Sequence, residues 1–253
     1  MNRNLTVLLL VALLLAGCVV YNVQADLPNT KNWPVAAVTA IEVRADNGAI
    51  TVRASADTVV SATVTKSCKG TSHADAEAHL ADITTGDSVS GTTLYLWGKV
   101  PAPNTRSYNT EYAVAAPAAT LLRVETANGA VNLDSMAGAA AVVAANGAVG
   151  TVAHSGSISV EAANGAIDCD MAALDSAEVA ALHSSNGRVT IYLPLDASFA
   201  FDITTSNGNA NVIGFAGANY SLNEAKHKVG IVGSGTAAVS LRSENGNVNI
   251  QAK

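Results

Sequence analysis

Aromatic residues make up only 4% of this 253-residue chain, charged residues 13%, and cysteines number three. Each scarcity excludes something. Lys and Arg total 14 against 20 Asp and Glu, so the basic patch that nucleic acid demands is missing. Cys18, Cys68 and Cys169 show no C-x-x-C spacing, which removes zinc-ribbon and thioredoxin-like chemistry. His73, His79, His183 and His227 are scattered without i,i+4 pairs, so no helical metal motif is present. Every Gly-rich run reads as a turn, and no phosphate loop or dinucleotide fingerprint occurs. The longest apolar run, Leu5 to Leu15, has 11 residues and is too short for a bilayer of roughly 30 Å.

What is present is a repeat. Asn-Gly occurs seven times: Asn47-Gly48, Asn128-Gly129, Asn146-Gly147, Asn164-Gly165, Asn186-Gly187, Asn207-Gly208 and Asn245-Gly246. From the second pair to the sixth the steps are 18, 18, 22 and 21 residues. Apolar residues stand six and four positions before each Asn, as in Ile158 and Val160 before Asn164. They return three and five positions after it, as in Ile167 and Cys169. The residue two before is always small: Ala45, Thr126, Ala144, Ala162, Ser184, Thr205 or Ser243. Period-2 alternation on both sides marks two half-buried strands per unit. The parity changes across Asn-Gly, which predicts a corner there, with φ > 0 supplied by Asn or Gly.

Two all-β folds fit. Asn-Gly is a favoured hairpin turn, so an antiparallel hairpin meander is one. The other is a β-solenoid of two-strand coils, 18–22 residues each, with like positions stacked in columns. The constant small residue before each corner favours the solenoid, as does the chance for Asn side chains to form amide ladders along the axis.

Residues 1–17 read as a secretory signal peptide, with Arg3 before the apolar run. Its end, Leu15-Ala16-Gly17-Cys18, resembles the bacterial lipobox. The resemblance implies cleavage before Cys18, lipidation of Cys18 and anchorage to a membrane through several acyl chains. Val19, rather than Asp, follows the Cys, which by the same resemblance points to the outer membrane. Cleavage removes Arg3 and no acid, taking the formal charge from −6 to −7. Residues 18–36, with Pro28 and Pro34, are expected to be a tether, and 37–253 a single domain. Within that domain, 37–119 is the irregular part and 120–253 the regular coils. Ser72 to Leu80 looks helical, and 88–100 alternates as a strand with Tyr95 and Trp97 on one face. Cys68 and Cys169 either pair in an oxidising envelope or sit as small core residues.

Three segments together carry a family resemblance: TLLRVETANGAVNL after Ala116-Pro117, NGRVTIYLPLDASFAFDITTSNGNANV, and the terminal GSGTAAVSLRSENGNVNI. In this combination the chain, over about residues 37–253, resembles the bacterial DUF4097 group of domains labelled adhesins. The resemblance implies an all-β, solenoid-like envelope domain, and it implies no reaction and no catalytic residues.

Candidate chemistry is thin. Asp168 and Asp170 flank Cys169 near Asp134 and offer a carboxylate pair or a weak Ca²⁺ site; the plainer reading is solvated acids. His154-Ser155 would need an orienting group and an oxyanion hole to act as a dyad. Tyr95, Trp97, Tyr108 and Tyr112 either form a sugar-stacking platform or close the end of the solenoid. The expectation is a non-enzymatic, lipid-anchored envelope protein without cofactor, whose surface meets an envelope protein, a glycan or a peptide. A regulatory lipoprotein sensing envelope stress and a carbohydrate-active β-helix enzyme are the alternatives.

Overall fold

The computed structural model describes residues 20–102 and 106–253. The expected signal peptide and Cys18 lie outside the described residues. Strand β1 (Val23–Pro34) precedes a first coil, β2 (Ala40–Asn47) and β3 (Ile50–Ala54). A departure from the repeat follows: β4 (Val59–Gly70), helix α1 (His73–Ala78), β5 (Thr84–Ser90), β6 (Thr93–Lys99) and β7 (Tyr108–Ala116). Four regular coils come next: β8 (Leu121–Asn128) with β9 (Val131–Asp134), β10 (Ala140–Asn146) with β11 (Val149–His154), β12 (Ile158–Asn164) with β13 (Ile167–Met171), and β14 (Val179–Asn186) with β15 (Val189–Leu193). The chain ends with β16 (Phe199–Asn207) and β17 (Ala210–Ile213), a hairpin of β18 (Asn219–Asn223) and β19 (His227–Val232), and β20 (Ala237–Asn245) with β21 (Val248–Ala252).

The first strand of every coil lies in an 11-stranded sheet and the second in a 10-stranded sheet facing it. Neighbouring coils pair parallel and in register, Asn against Asn, as in Asn146 against Asn164. This is a β-solenoid, and the parallel pairing removes the hairpin meander. The apolar columns read from the sequence are the core: Ile158, Val160, Ile167 and Cys169 are each 2% exposed or less. At about 1.5–3 kcal/mol per buried large aliphatic side chain, a single coil cannot offset its ordering entropy without neighbours on both sides.

The corners differ from expectation in their physics. No corner Asn has positive φ; among the described residues only Ser135, Ala153 and Ala177 combine a side chain with positive φ. Of the corner glycines, Gly48, Gly129 and Gly147 have the expected positive φ (132°, 148° and 159°), but Gly165, Gly187, Gly208 and Gly246 do not. Glycine is required because the coils approach too closely for a Cβ. A carbon added to Gly165 would lie 1.9 Å from the Gly147 carbonyl oxygen. The small residue two before each Asn shares this space. Ser184, Thr205 and Ser243 donate their hydroxyls to the carbonyls of Gly165, Gly246 and Gly187 in adjacent coils.

Coil order in space departs from order in sequence at both ends. β20–β21 inserts between β14–β15 and β16–β17, so the 38-residue step from Asn207 to Asn245 goes out to the end of the stack and comes back. The excursion around Asn219 to Val229 is the β18–β19 hairpin, which extends the first sheet antiparallel beyond β16. All three phenylalanines gather at this end: Phe199 meets Phe215 edge-on at 5.2 Å, and Phe201 meets Tyr220 at 5.6 Å. At the other end β6 and β7 pair in parallel outside β2 and β3.

The expected tether is a correction. Residues 23–34 form a full edge strand, paired antiparallel with β4 from Val23 against Gly70 to Pro34 against Val59. An edge strand needs partners on one side only, so it tolerates Pro28 and Pro34. Lys31 of β1 is ion-paired with Asp87 of β5, tying the outer edges of the two sheets together over the partly buried Trp33. The segment 88–100 proves to be the hairpin β5–β6 turning at Gly91 (φ 59°), and α1 begins where Ser72 accepts from the Asp75 amide. No described helix is long and apolar enough to cross a membrane.

Candidate functional site

The seven corner asparagines form one continuous amide ladder. Each side-chain amide donates to the next carbonyl oxygen, in the spatial order Asn207, Asn245, Asn186, Asn164, Asn146, Asn128, Asn47, at 2.7–3.0 Å. Asn47 ends the ladder on the Tyr108 carbonyl at 3.4 Å. The ladder lies at the solvent edge and borders a trough on the outer face of the 11-stranded sheet.

The trough encloses about 600 Å³ and runs across the strands, along the solenoid axis. Its floor is the column one residue before the Asn: Ala127, Ala145, Ala163 and Ser185. Alanines keep the floor low. The wall is the column three before: Arg44, Glu125, Val143, Glu161 and His183, with Trp97 at the end beside Arg44. Trp97 is 39% exposed and packs its ring against Gly86, where an added Cβ would lie 2.3 Å from the indole. Arg44 bridges Glu42 and Glu125. The Nε2 of His183 is shielded from solvent and has no hydrogen-bond partner. The arrangement offers a flat apolar strip, one stacking indole and a border of hydrogen-bonding groups.

The predicted aromatic set divides. Tyr95 and Trp97 face outward on this sheet, whereas Tyr108 and Tyr112 are buried at 6% and 0% exposure. Burial pushes the Tyr112 phenol well above its ordinary pKa. Tyr108 is pushed up to about 12 by burial and by donating to Asp82.

Asp168 and Asp170 project from the outer face of the other sheet, and each has its own cation. Asp168 takes both oxygens to Arg188 at 2.8–2.9 Å, and Asp170 pairs with Lys253. Asp134, whose register partner is Val152, accepts from the Ser135 hydroxyl. No shared space gathers these carboxylates, and no cluster of three His, Cys, Asp or Glu fit for a metal occurs among the described residues. His154 and Ser155 do not form a dyad, because the His154 ring is fully buried. Cys68 and Cys169 are free, buried and in different clusters, so the disulfide reading falls.

Of the trough residues the sequence singled out only Trp97, and the trough itself was not foreseen. An alanine column facing out looks the same whether the face is flat or hollow. The exposed partners of Trp97 were detectable only by aligning its strand with β2, and the 81-residue step from Asn47 to Asn128 hides that register.

Parallel two-sheet stacking with a continuous Asn ladder places the protein among short-coil β-solenoids. The chain belongs to the Toastrack DUF4097 family, whose model matches residues 27–251. A solved structure of a protein from Clostridium sporogenes, provisionally named a cell adhesion protein, is similar with a TM-score of 0.50 at 11% identity, covering 90% of this chain and all of that one. At that identity the likeness shows the fold alone. A provisionally named adhesin from Bacteroides fragilis aligns more loosely, with a TM-score of 0.35 at 13% identity over 89% of this chain and 97% of its own. No functionally curated protein matches the chain.

Proposed function

We propose that this is a non-enzymatic, lipid-anchored, adhesin-like protein of the bacterial cell envelope that binds a glycan strand along the trough of its 11-stranded sheet. The observation that carries the reading is Trp97, exposed and backed by Gly86 at the end of the alanine floor. Sugar rings offer apolar faces to an indole and an alanine strip, and hydroxyls to carboxylates such as Glu125 and Glu161. The separate pairing of Asp168 and Asp170 with cations supports binding rather than hydrolysis. The Leu15–Cys18 lipobox supports anchorage, and Val19 in place of Asp, by the same resemblance, supports the outer membrane.

The test is a glycan array followed by calorimetry on peptidoglycan fragments and surface polysaccharides. Trp97→Ala is expected to weaken the best ligand at least 10-fold while the protein still unfolds in one cooperative transition well above the assay temperature. Equal affinity of the two proteins would remove the trough as the site. Metabolic palmitate labelling, lost in Cys18→Ala, tests the anchor separately.

A further inference from the structure

A second site is built inside the solenoid, at the corner opposite the Asn ladder. Met136, His154 and Met171 occupy one interior column on three successive rungs. His154 and Met171 are register partners, and the His154 carbonyl accepts from Ala172 N at 2.6 Å. The Met136 carbonyl accepts from Ser155 N at 2.9 Å, the same relation one rung earlier. All three side chains are 0% exposed. Apart from Met1, these are the only methionines in the chain. Rungs in a sheet lie about 4.8 Å apart, so the imidazole is flanked above and below by thioethers.

Two features set this column apart from ordinary packing. First, the His154 side chain is fully buried, yet its ring has no well-formed hydrogen bond: only a marginal contact with the Ser157 backbone reaches it, and that can occupy one ring nitrogen at most. Buried polar groups are almost always satisfied, and an orphaned imidazole is costly. Second, the backbone is bent to put these side chains inward. Ser135 (φ 58°) and Ala153 (φ 50°), two of the three non-glycine residues with positive φ, immediately precede Met136 and His154. The register shifts between Thr151 and His154, so an extra residue turns His154 to the inside. Strain of this kind gathers at functional positions.

We propose that Met136, His154 and Met171 form a buried binding site for a soft monovalent metal ion, Cu(I) or Ag(I), held by one imidazole nitrogen and two thioether sulfurs. The chemistry of the donors selects the ion. Thioether and imidazole are soft or borderline ligands that suit Cu(I). All three are neutral, and an apolar interior penalises a divalent charge far more than a single one. Burial lowers the His154 pKa against a smaller opposing contact with the Ser157 backbone, which favours the neutral ring, and a neutral imidazole carries one nitrogen lone pair for a metal. Cys169 stands beside the column: it accepts from Thr151 and its thiol donates to the Met171 sulfur at 3.4 Å. In the metal-free chain that hydrogen bond steadies Met171, and the Cys169 sulfur stands close enough to join the donor set when a soft ion binds. Entry is short, because exposed Ala137 and part-exposed Ser155 lie one residue from Met136 and His154 in the coil-closing loops. The site is independent of the trough.

The experiment uses the full chain carrying Cys18→Ser, so that this thiol cannot compete. The protein is titrated anaerobically with Cu(I) against bicinchoninate, and separately with Ag(I) while melting is followed. One equivalent of Cu(I) is expected to leave the chelator and to raise the melting temperature. His154→Leu should abolish both effects, and Met136→Leu and Met171→Leu should each weaken binding about 10-fold or more. Leu keeps the volume and removes the orphaned polar ring, so the copper-free His154→Leu protein should melt no lower than its parent. Cu(I) left wholly on the chelator would overturn the proposal. So would a His154→Leu protein that binds as tightly as its parent, or binding that vanishes only with Cys68→Ala.

Discussion

Gly165 stacks over Gly147 with its α-carbon so close that an added Cβ would sit 1.9 Å from the Gly147 carbonyl oxygen. Both atoms belong to backbone held by parallel ladders, so neither can yield without parting the coils. Gly165→Val is therefore expected to cost more than about 4 kcal/mol, in the range reserved for severe defects. Asp168→Asn loses an exposed ion pair with Arg188 and should cost only about 0.2–1 kcal/mol. Gly217→Ala, where a Cβ meets nothing within 4 Å, serves as the neutral control. Urea midpoints order the three; a Gly165→Val midpoint equal to that of Asp168→Asn would refute close stacking at the corners.

The amide ladder makes a graded prediction. Asn164 donates to Asn146 at 3.0 Å and accepts from Asn186 at 2.9 Å, so Asn164→Ala breaks two bonds. Asn207, at the end of the stack, donates to Asn245 and has no further rung beyond it. With about 0.5–1.5 kcal/mol per bond, Asn164→Ala should lose about 1–3 kcal/mol and Asn207→Ala about half as much. Solvent exposure of the ladder places both near the lower ends. Equal losses at the two positions would mean that the bonds between rungs contribute little.

Much of this architecture was legible because every coil repeats one pattern, from Ile41 and Val43 before Asn47 to Val248 and Ile250 after Asn245. The same uniformity hid the stacking order: columns so alike accept β20–β21 in any slot, and only the structure shows it between β14–β15 and β16–β17. β1 escaped notice because an edge strand carries little apolar alternation and admits Pro28 and Pro34. The corner asparagines were legible, but glycine was assigned to φ alone, which holds at Gly48, Gly129 and Gly147, whereas close approach between coils requires glycine at every corner. His154 was hidden for a third reason. Period-2 counting along β11 sends it outward, and the bulge at Ala153 reverses that parity.

The clamp at the first end of the solenoid predicts a pH dependence. Arg106 makes two hydrogen bonds to the Asp75 carboxylate, at 2.7 and 3.1 Å, and the Thr71 amide adds a third. The Arg106 bonds, then the Thr71 bond, hold Asp75 far below the usual carboxylate range. A depressed folded pKa means that the contribution is fully present above the unfolded value of about 3.9 and is lost as pH falls through the folded value. Asp75→Asn should therefore lower the melting temperature at pH 7, and the gap to wild type should narrow steadily below about pH 4. A gap that stays constant down to pH 2 would show that the carboxylate charge plays no part.

The free cysteines give the last test. Cys68 is buried beside Leu80, Ile83 and Tyr108, while Cys169 lies in the main core between the sheets. Burial raises both thiols, Cys169 to about 12. Only the thiolate reacts, so both should be inert in the folded chain at pH 8. With Cys18→Ser, Ellman's reagent is expected to find no fast-reacting thiol in the native protein and two after unfolding in guanidinium. That count should be the same whether the protein is prepared with or without reductant, because the two residues sit in separate clusters. Fewer than two thiols in the non-reduced, unfolded sample would mean that Cys68 and Cys169 pair after all, and β4 near one end of the sheet would have to be brought to β13 in its middle.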